Sequence, residues 1–181
     1  MAGVNVRKEI RFILNDRDVS LSDVAPDQTL LDWLRLSKHL KGSKEGCAEG
    51  DCGACTVLVG KRVGENLVYE SVNGCIRFLG SLDACHVVTI EHVSTDAVHL
   101  HPVQQAMVDL HGSQCGFCTP GFVMSLYGLW MKTPNPSDLD IEKALQGNLC
   151  RCTGYEAIMR AGRAISNYGK AANDPLAKER A

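Results

Sequence analysis

The sequence predicts an α+β protein, with a small mixed β-sheet in its first half and a bundle of four helices in its second. Three observations predict it. Short blocks rich in valine, isoleucine and threonine dominate up to Ile90, whereas apolar residues recur at helical spacing from Val103 onward. The two regimes meet at a polar stretch, Ser94-Thr95-Asp96. With 181 residues, 45% of them hydrophobic, the chain is long enough for one domain or two small ones.

The elements follow in order. Residues 4–14 alternate loosely and stop at the turn Asn15-Asp16, so residues 17–21 read as a hairpin partner. Leu30, Leu31 and Leu34 stand at helical spacing beside Trp33, which predicts a short helix over residues 29–37. Residues 41–55 carry Gly42, Gly46, Gly50 and Gly53 and read as a loop. Strands are expected at residues 56–59, 67–69 and 87–90. Pro102 suits a first helical position, and Val103, Ala106, Met107 and Leu110 fall on one face behind it. Thr119-Pro120 reads as a cap and first-turn proline, opening a helix that is apolar on nearly every side through residues 122–131 and therefore central. Ser137 caps a third helix, and residues 156–168 form a fourth that stops at Gly169. The resulting division is 1–93 for the sheet, 94–170 for the bundle, and 171–181 for a polar tail or the start of a linker.

Composition excludes several roles. With 19 basic and 21 acidic residues, net charge −2, the chain has no electrostatic footprint for nucleic acid or a membrane surface. No apolar run is long enough to span a bilayer. The first fifteen residues lack a signal peptide's apolar centre, so a cytoplasmic location is expected. In that compartment, paired cysteines hold metal more often than they form disulfides.

Eight of the nine cysteines fall into two frameworks. Cys47, Cys52 and Cys55 follow the C-x4-C-x2-C pattern, with Cys75 further on, which is the plant-type spacing for a two-iron, two-sulfur cluster. Zinc sites use paired hooks rather than such a triple. Glycines in this loop permit positive φ and turn backbone N–H groups toward the sulfurs. Cys115-x2-Cys118 and Cys150-x-Cys152 lie in turns that one end of a bundle brings together, but their spacing alone leaves zinc open. Cys85 is the odd cysteine, read as a small apolar residue beside a strand. Arg151 softens cluster charge or solvates a surface. Gln114 bonds a neighbouring cofactor or caps a turn. The six histidines show no ligand or acid/base pattern. No nucleotide loop and no nucleophile or zinc-protease motif is present. The chemistry indicated is electron relay, without catalysis by this chain alone.

Four stretches carry a specific resemblance. They are Lys44-Glu45-Gly46-Cys47-Ala48-Glu49-Gly50-Asp51-Cys52-Gly53-Ala54-Cys55-Thr56-Val57; His101-Pro102-Val103-Gln104-Gln105; Gln114-Cys115-Gly116-Phe117-Cys118-Thr119-Pro120-Gly121; and Gly147-Asn148-Leu149-Cys150-Arg151-Cys152-Thr153-Gly154-Tyr155. Over residues 12–164 the chain resembles the iron–sulfur region of the xanthine dehydrogenase and molybdenum hydroxylase family. The resemblance implies a plant-ferredoxin-like (β-grasp) domain followed by a helical domain peculiar to that family. It implies two [2Fe-2S] clusters, held by Cys47, Cys52, Cys55 and Cys75 and by Cys115, Cys118, Cys150 and Cys152. It implies a large molybdopterin-binding partner next to the helical cluster, and an FAD-binding subunit or domain nearer the other. Gln114 and Cys152 match positions that approach the pterin.

Residues 108–113 and 122–127 look more like xanthine dehydrogenases, enzymes of purine catabolism, than like aldehyde or carbon monoxide dehydrogenases. The polar ending resembles the start of a linker to a flavin domain. That domain is missing from the sequence, so the chain is not expected to bind FAD or reduce NAD. A redox-sensing protein and a zinc-stabilised interaction module are the alternatives from other classes.

Overall fold

The structure is a computed structural model that describes residues 7–94, 99–170, 174 and 176. The start of the first expected strand, the centre of the expected boundary and most of the tail lie outside the described residues.

The architecture is mixed α+β, with helices packed on a five-stranded sheet. Strand β1 (Ile10–Leu14) pairs antiparallel with β2 (Arg17–Leu21), and Leu14 opposite Arg17 leaves Asn15-Asp16 as a two-residue turn. The ladder ends at Ile10 opposite Leu21, so β1 is shorter than its alternating pattern predicts. β3 (Thr56–Val63) and β4 (Asn66–Asn73) form a hairpin, and β5 (His86–Val88) lies between β1 and β3. The order is β2-β1-β5-β3-β4, with β1 and β5 parallel and the other pairs antiparallel. β3 and β4 each outrun their apolar blocks because their exposed polar residues remain in register from Thr56 opposite Asn73 to Val63 opposite Asn66.

Thr29 caps a short α1 (Leu30–Asp32), its hydroxyl accepting the Asp32 N–H at 3.1 Å. The chain then widens into a π-type turn over Trp33–Ser37, leaving Leu30, Leu31, Trp33 and Leu34 all buried. Four longer helices follow: α2 (Pro102–Asp109), α3 (Thr119–Lys132), α4 (Asp138–Leu145) and α5 (Glu156–Tyr168). Ser137 caps α4 as expected, accepting the Asp140 N–H. Thr119 does not cap α3. Its hydroxyl bonds Ser113 at 2.7 Å instead, so the helix starts at Thr119 and Cys118 takes the cap position. Gly169 ends α5 in an extended conformation rather than a left-handed one.

β3 explains why one sheet serves two cores. Val57 and Val59 join Phe12, Leu14, Trp33, Leu34 and Val87 on one face. Leu58, with Tyr69 and Val88, joins the core around α3 on the other. A strand buried on both faces reads as a continuous apolar run, as residues 57–59 do. Gly128 lets α3 approach closely, since a Cβ there would stand 3.0 Å from both Leu58 and Ser71.

The two halves are tied at the cysteine loops. The Asn148 amide donates to the Gly53 carbonyl at 3.1 Å, while its Oδ1 accepts the Ser125 hydroxyl of α3 at 2.7 Å. The Leu149 N–H donates to the Cys52 carbonyl at 2.9 Å. Asn148 and Ser125 are buried. A Cβ on Gly53 would strike the Gly147 carbonyl, and one on Gly121 the Gly53 carbonyl. Asn148→Ala would strand the buried Ser125 hydroxyl and lower stability by about 2 kcal/mol, read from the urea midpoint. Gly121→Ala drives a methyl into backbone that cannot rotate away, and would cost about 3 kcal/mol in the same assay.

Candidate metal centres

The eight framework thiols come together as two sets of two pairs. In the first set, Cys47 opens a loop whose left-handed residues are Ala48, Gly50 and Gly53. These turns aim the N–H groups of Glu49, Asp51 and Cys52 at the Cys47 sulfur, at 3.5, 3.4 and 3.4 Å. The inward amides expected from the glycine content are therefore present. They pull the Cys47 thiol down to about 6, the Cys52 amide contributing most and that of Glu49 next, with the Cys52 thiol also donating. Gly46 contributes space: a Cβ there would sit 2.8 Å from the Cys52 sulfur. Cys55 lies at the foot of β3 and Cys75 just past β4. The hairpin register brings them together, with their sulfurs 3.4 Å apart. Burial, then the Cys55 thiol, pushes the Cys75 thiol up to about 12.

In the second set, the α2–α3 loop supplies Cys115 and Cys118, and the α4–α5 loop supplies Cys150 and Cys152. Cys115 and Cys152 are exposed, with sulfurs 3.6 Å apart. The other pair lies deeper. Cys118 is pushed up to about 12 by burial and by the hydrogen-bonded Cys150 thiol. Burial opposes ionisation of Cys150, but the Thr153 hydroxyl and N–H and the Cys152 amide outweigh it and lower that thiol. Thr153 reaches the Cys150 sulfur at 3.1 Å, and the Cys150 N–H donates to the Tyr155 hydroxyl at 3.0 Å. Tyr155 is itself left-handed (φ 69°), which swings its ring back under the loop toward Phe122.

This pairing tests the fit of a cluster. At metal–sulfur bonds of about 2.3 Å, two thiolates on one tetrahedral ion stand about 3.8 Å apart. The 3.4 and 3.6 Å separations come close to that spacing. A two-iron cluster takes two thiols on each of two neighbouring irons, and the four cysteines of each loop system suit it as a donor set.

Gln114 is exposed beside Cys115. Arg151 is exposed as well. Cys85 packs in the sheet-side core with Phe12 and Leu82, and burial raises its thiol, in keeping with a bystander. His86 bonds the Tyr69 hydroxyl and the Asn15 carbonyl, both at 2.6 Å. Asn148, Thr153 and Tyr155 were not singled out from the sequence. They lie within the Gly147–Tyr155 stretch that carries the resemblance, but spacing assigns none of them a role of its own.

Residues 12–75 match the 2Fe-2S iron-sulfur cluster binding domain family, and residues 89–163 match the [2Fe-2S] binding domain family. The chain is 45% identical over 161 residues to xanthine dehydrogenase of Drosophila pseudoobscura pseudoobscura, covering 88% of this chain and 12% of the relative. It is 44% identical over 160 residues to aldehyde oxidase 2 of Mus musculus, covering 87% of this chain and 12% of that one. The chain thus spans 12% of the length of these relatives. Quinoline 2-oxidoreductase from Pseudomonas putida 86 superposes with a TM-score of 0.74 at 31% identity, over 88% of this chain and 93% of that one. Aldehyde oxidoreductase from Desulfovibrio gigas gives 0.76 at 32% identity, over 96% and 18%.

Two outcomes follow for the thiols. In iron-free protein, iodoacetamide should alkylate Cys47 first. Its lowered pKa means the reactive thiolate grows in as pH rises through about 6, a profile that mass spectrometry of the peptides reads directly. Cys85→Ala should retain the iron and sulfide content of the parent; loss of iron would make Cys85 a participant.

Proposed function

Because the chain belongs to the iron–sulfur family of the molybdenum hydroxylases, we propose that it is the electron-transfer component of such an enzyme, of the xanthine dehydrogenase type. It would pass single electrons from a molybdopterin centre in a large partner toward flavin in an FAD-binding subunit or domain. By itself it turns over no substrate. A cytoplasmic location accords with this role; among the described residues no helix is long and apolar enough to cross a membrane.

The observation that carries the reading is the set of four thiol pairs in two loop systems. We assign Cys47 with Cys52 and Cys55 with Cys75 to one [2Fe-2S] cluster, and Cys115 with Cys152 and Cys118 with Cys150 to the other. Each cluster, when bound, takes up and returns one electron. The chain's own contribution is electrostatic and positional. Amides at Cys47 and the Thr153 hydroxyl and amide at Cys150 stabilise thiolate charge, which favours the reduced state. The tie from Asn148 and Leu149 to the first loop keeps the two thiol sets side by side.

The exposed edge at Gln114, Cys115 and Cys152 supports assigning the molybdenum side to the second set. The Gln114 carboxamide is free in space to meet a pterin presented by the partner. We assign residues 1–93 to a plant-ferredoxin-like domain and 94–170 to a helical domain. Near-equal identity to a xanthine dehydrogenase and an aldehyde oxidase means the xanthine assignment rests on residues 108–113 and 122–127 alone. The exposure of Cys115 and Cys152 also suits a redox sensor, which would purify without a molybdenum subunit.

Two two-iron clusters require about four irons and four sulfides per chain, with two EPR signals on reduction. Cys150→Ser should lose one signal and keep the other. It should also abolish turnover of the assembled enzyme with an acceptor on the flavin side. Surviving turnover would reverse the assigned order.

A further inference from the structure

The tail carries a buried carboxylate that the function above does not use. Asp174 Oδ2 stands 2.8 Å from His101 Nε2, and Oδ1 accepts the Tyr127 hydroxyl at 2.8 Å and the Leu176 N–H at 2.9 Å. Its side chain is 1% exposed. Leu176 is buried in the core around α3. The tail, expected as a polar ending, is thus packed where it is described.

The geometry orients each partner. His101 is the N-cap of α2, and its Nδ1 accepts the Val103 N–H at 3.2 Å. That contact requires a lone pair on Nδ1, so the ring proton sits on Nε2 and points at Asp174. The His101 ring stands edge-on to Tyr127 and Trp130 of α3, with centroids 4.7 and 5.2 Å away. A Cβ on Gly169 would lie 2.5 Å from Pro102, so the chain leaving α5 crosses directly over the first residue of α2. One carboxylate therefore joins the start of α2 to the middle of α3.

These two helices are the arms of the Cys115–Cys118 loop. α3 begins immediately after Cys118, and α2 ends a few residues before Gln114. The Ser113–Thr119 hydroxyl pair closes the neck of the loop. A rigid neck passes any change in the angle between its arms to the thiols. We propose that Asp174 is a positioning residue, a tail-borne clamp that sets the stance of α2 against α3 and with it the placement of Gln114, Cys115 and Cys118. This rests on the reading that the loop's thiols hold the helical cluster.

The test uses the full chain loaded with iron and sulfide, as the parent, Asp174→Ala and Tyr127→Phe. Losing hydrogen bonds to a buried charge should speed amide exchange in α2's first turn and in residues 113–118 by about tenfold or more in Asp174→Ala. The EPR signal lost in Cys150→Ser should shift or broaden, while the other signal stays as in the parent. Tyr127→Phe, which removes one donor and keeps the ring, should show the same changes to a smaller degree, and it carries the test if Asp174→Ala does not fold. Unchanged exchange with unchanged spectra, or equal changes in both signals, would overturn the clamp. A single signal from the parent would overturn the cluster reading instead, and exchange would then decide the clamp by itself.

Discussion

The Asn148 carboxamide, wedged between Gly53 and Ser125, is the contact on which the arrangement of both thiol sets depends. It is buried, and it joins the loop that carries the first three cysteines to the central helix behind the second loop system. A polar group this deep is costly unless satisfied. Here both ends are, and the Gly53 carbonyl is met a second time by the Thr56 hydroxyl at 2.7 Å. Specificity follows from the same accounting, because any other seating of the loops would leave these groups without partners. Glycine at positions 53 and 121 is part of this contact. Backbone meets backbone there, with no room for a Cβ.

Around that contact, the thiols are treated unequally, and the difference is electrostatic. Cys47 is ringed by amides at the rim of its loop, whereas Cys75 and Cys118 face other sulfurs in drier surroundings. Each framework thus combines a thiol whose neighbours stabilise negative charge, Cys47 or Cys150, with one held against ionisation, Cys75 or Cys118. The second framework adds a geometric asymmetry. Its Cys115–Cys152 pair is exposed, and its Cys118–Cys150 pair packs into the core around α3.

The helical half is held by more than its apolar faces. α3 is buried almost all round and packs on β3, β4 and the other helices, so its position is set by volume. α2 is short and has one buried face. Its cap, His101, is fixed by aromatic rings from α3 and by a carboxylate from beyond α5. Residues distant in sequence thereby determine where the α2–α3 loop lies.

Much of this was legible in the order of residues. The frameworks were readable because ligand spacing is local: a C-x4-C-x2-C loop brings its sulfurs together within a few bonds. The four helices, the Asn15-Asp16 turn and the Ser137 cap were readable because periodicity, turn chemistry and capping act over four residues or fewer. Motif resemblance added the second cluster, which spacing alone left open to zinc. The Thr119 cap failed because Ser113, six residues away, claimed its hydroxyl. Gly169 stops α5 as its position foretold, in an extended conformation and pressed against Pro102. The tail read as a polar ending because what anchors it, His101 and Tyr127 for Asp174 and the core around α3 for Leu176, is distant in sequence. The sequence by itself determined which thiols are candidate metal ligands and which segments coil or pair, since those signals are short in chain distance. Only the tertiary structure decided which sulfurs pair, how the loops abut and what clamps the helices, because those contacts span from about twenty to more than ninety residues and depend on packing.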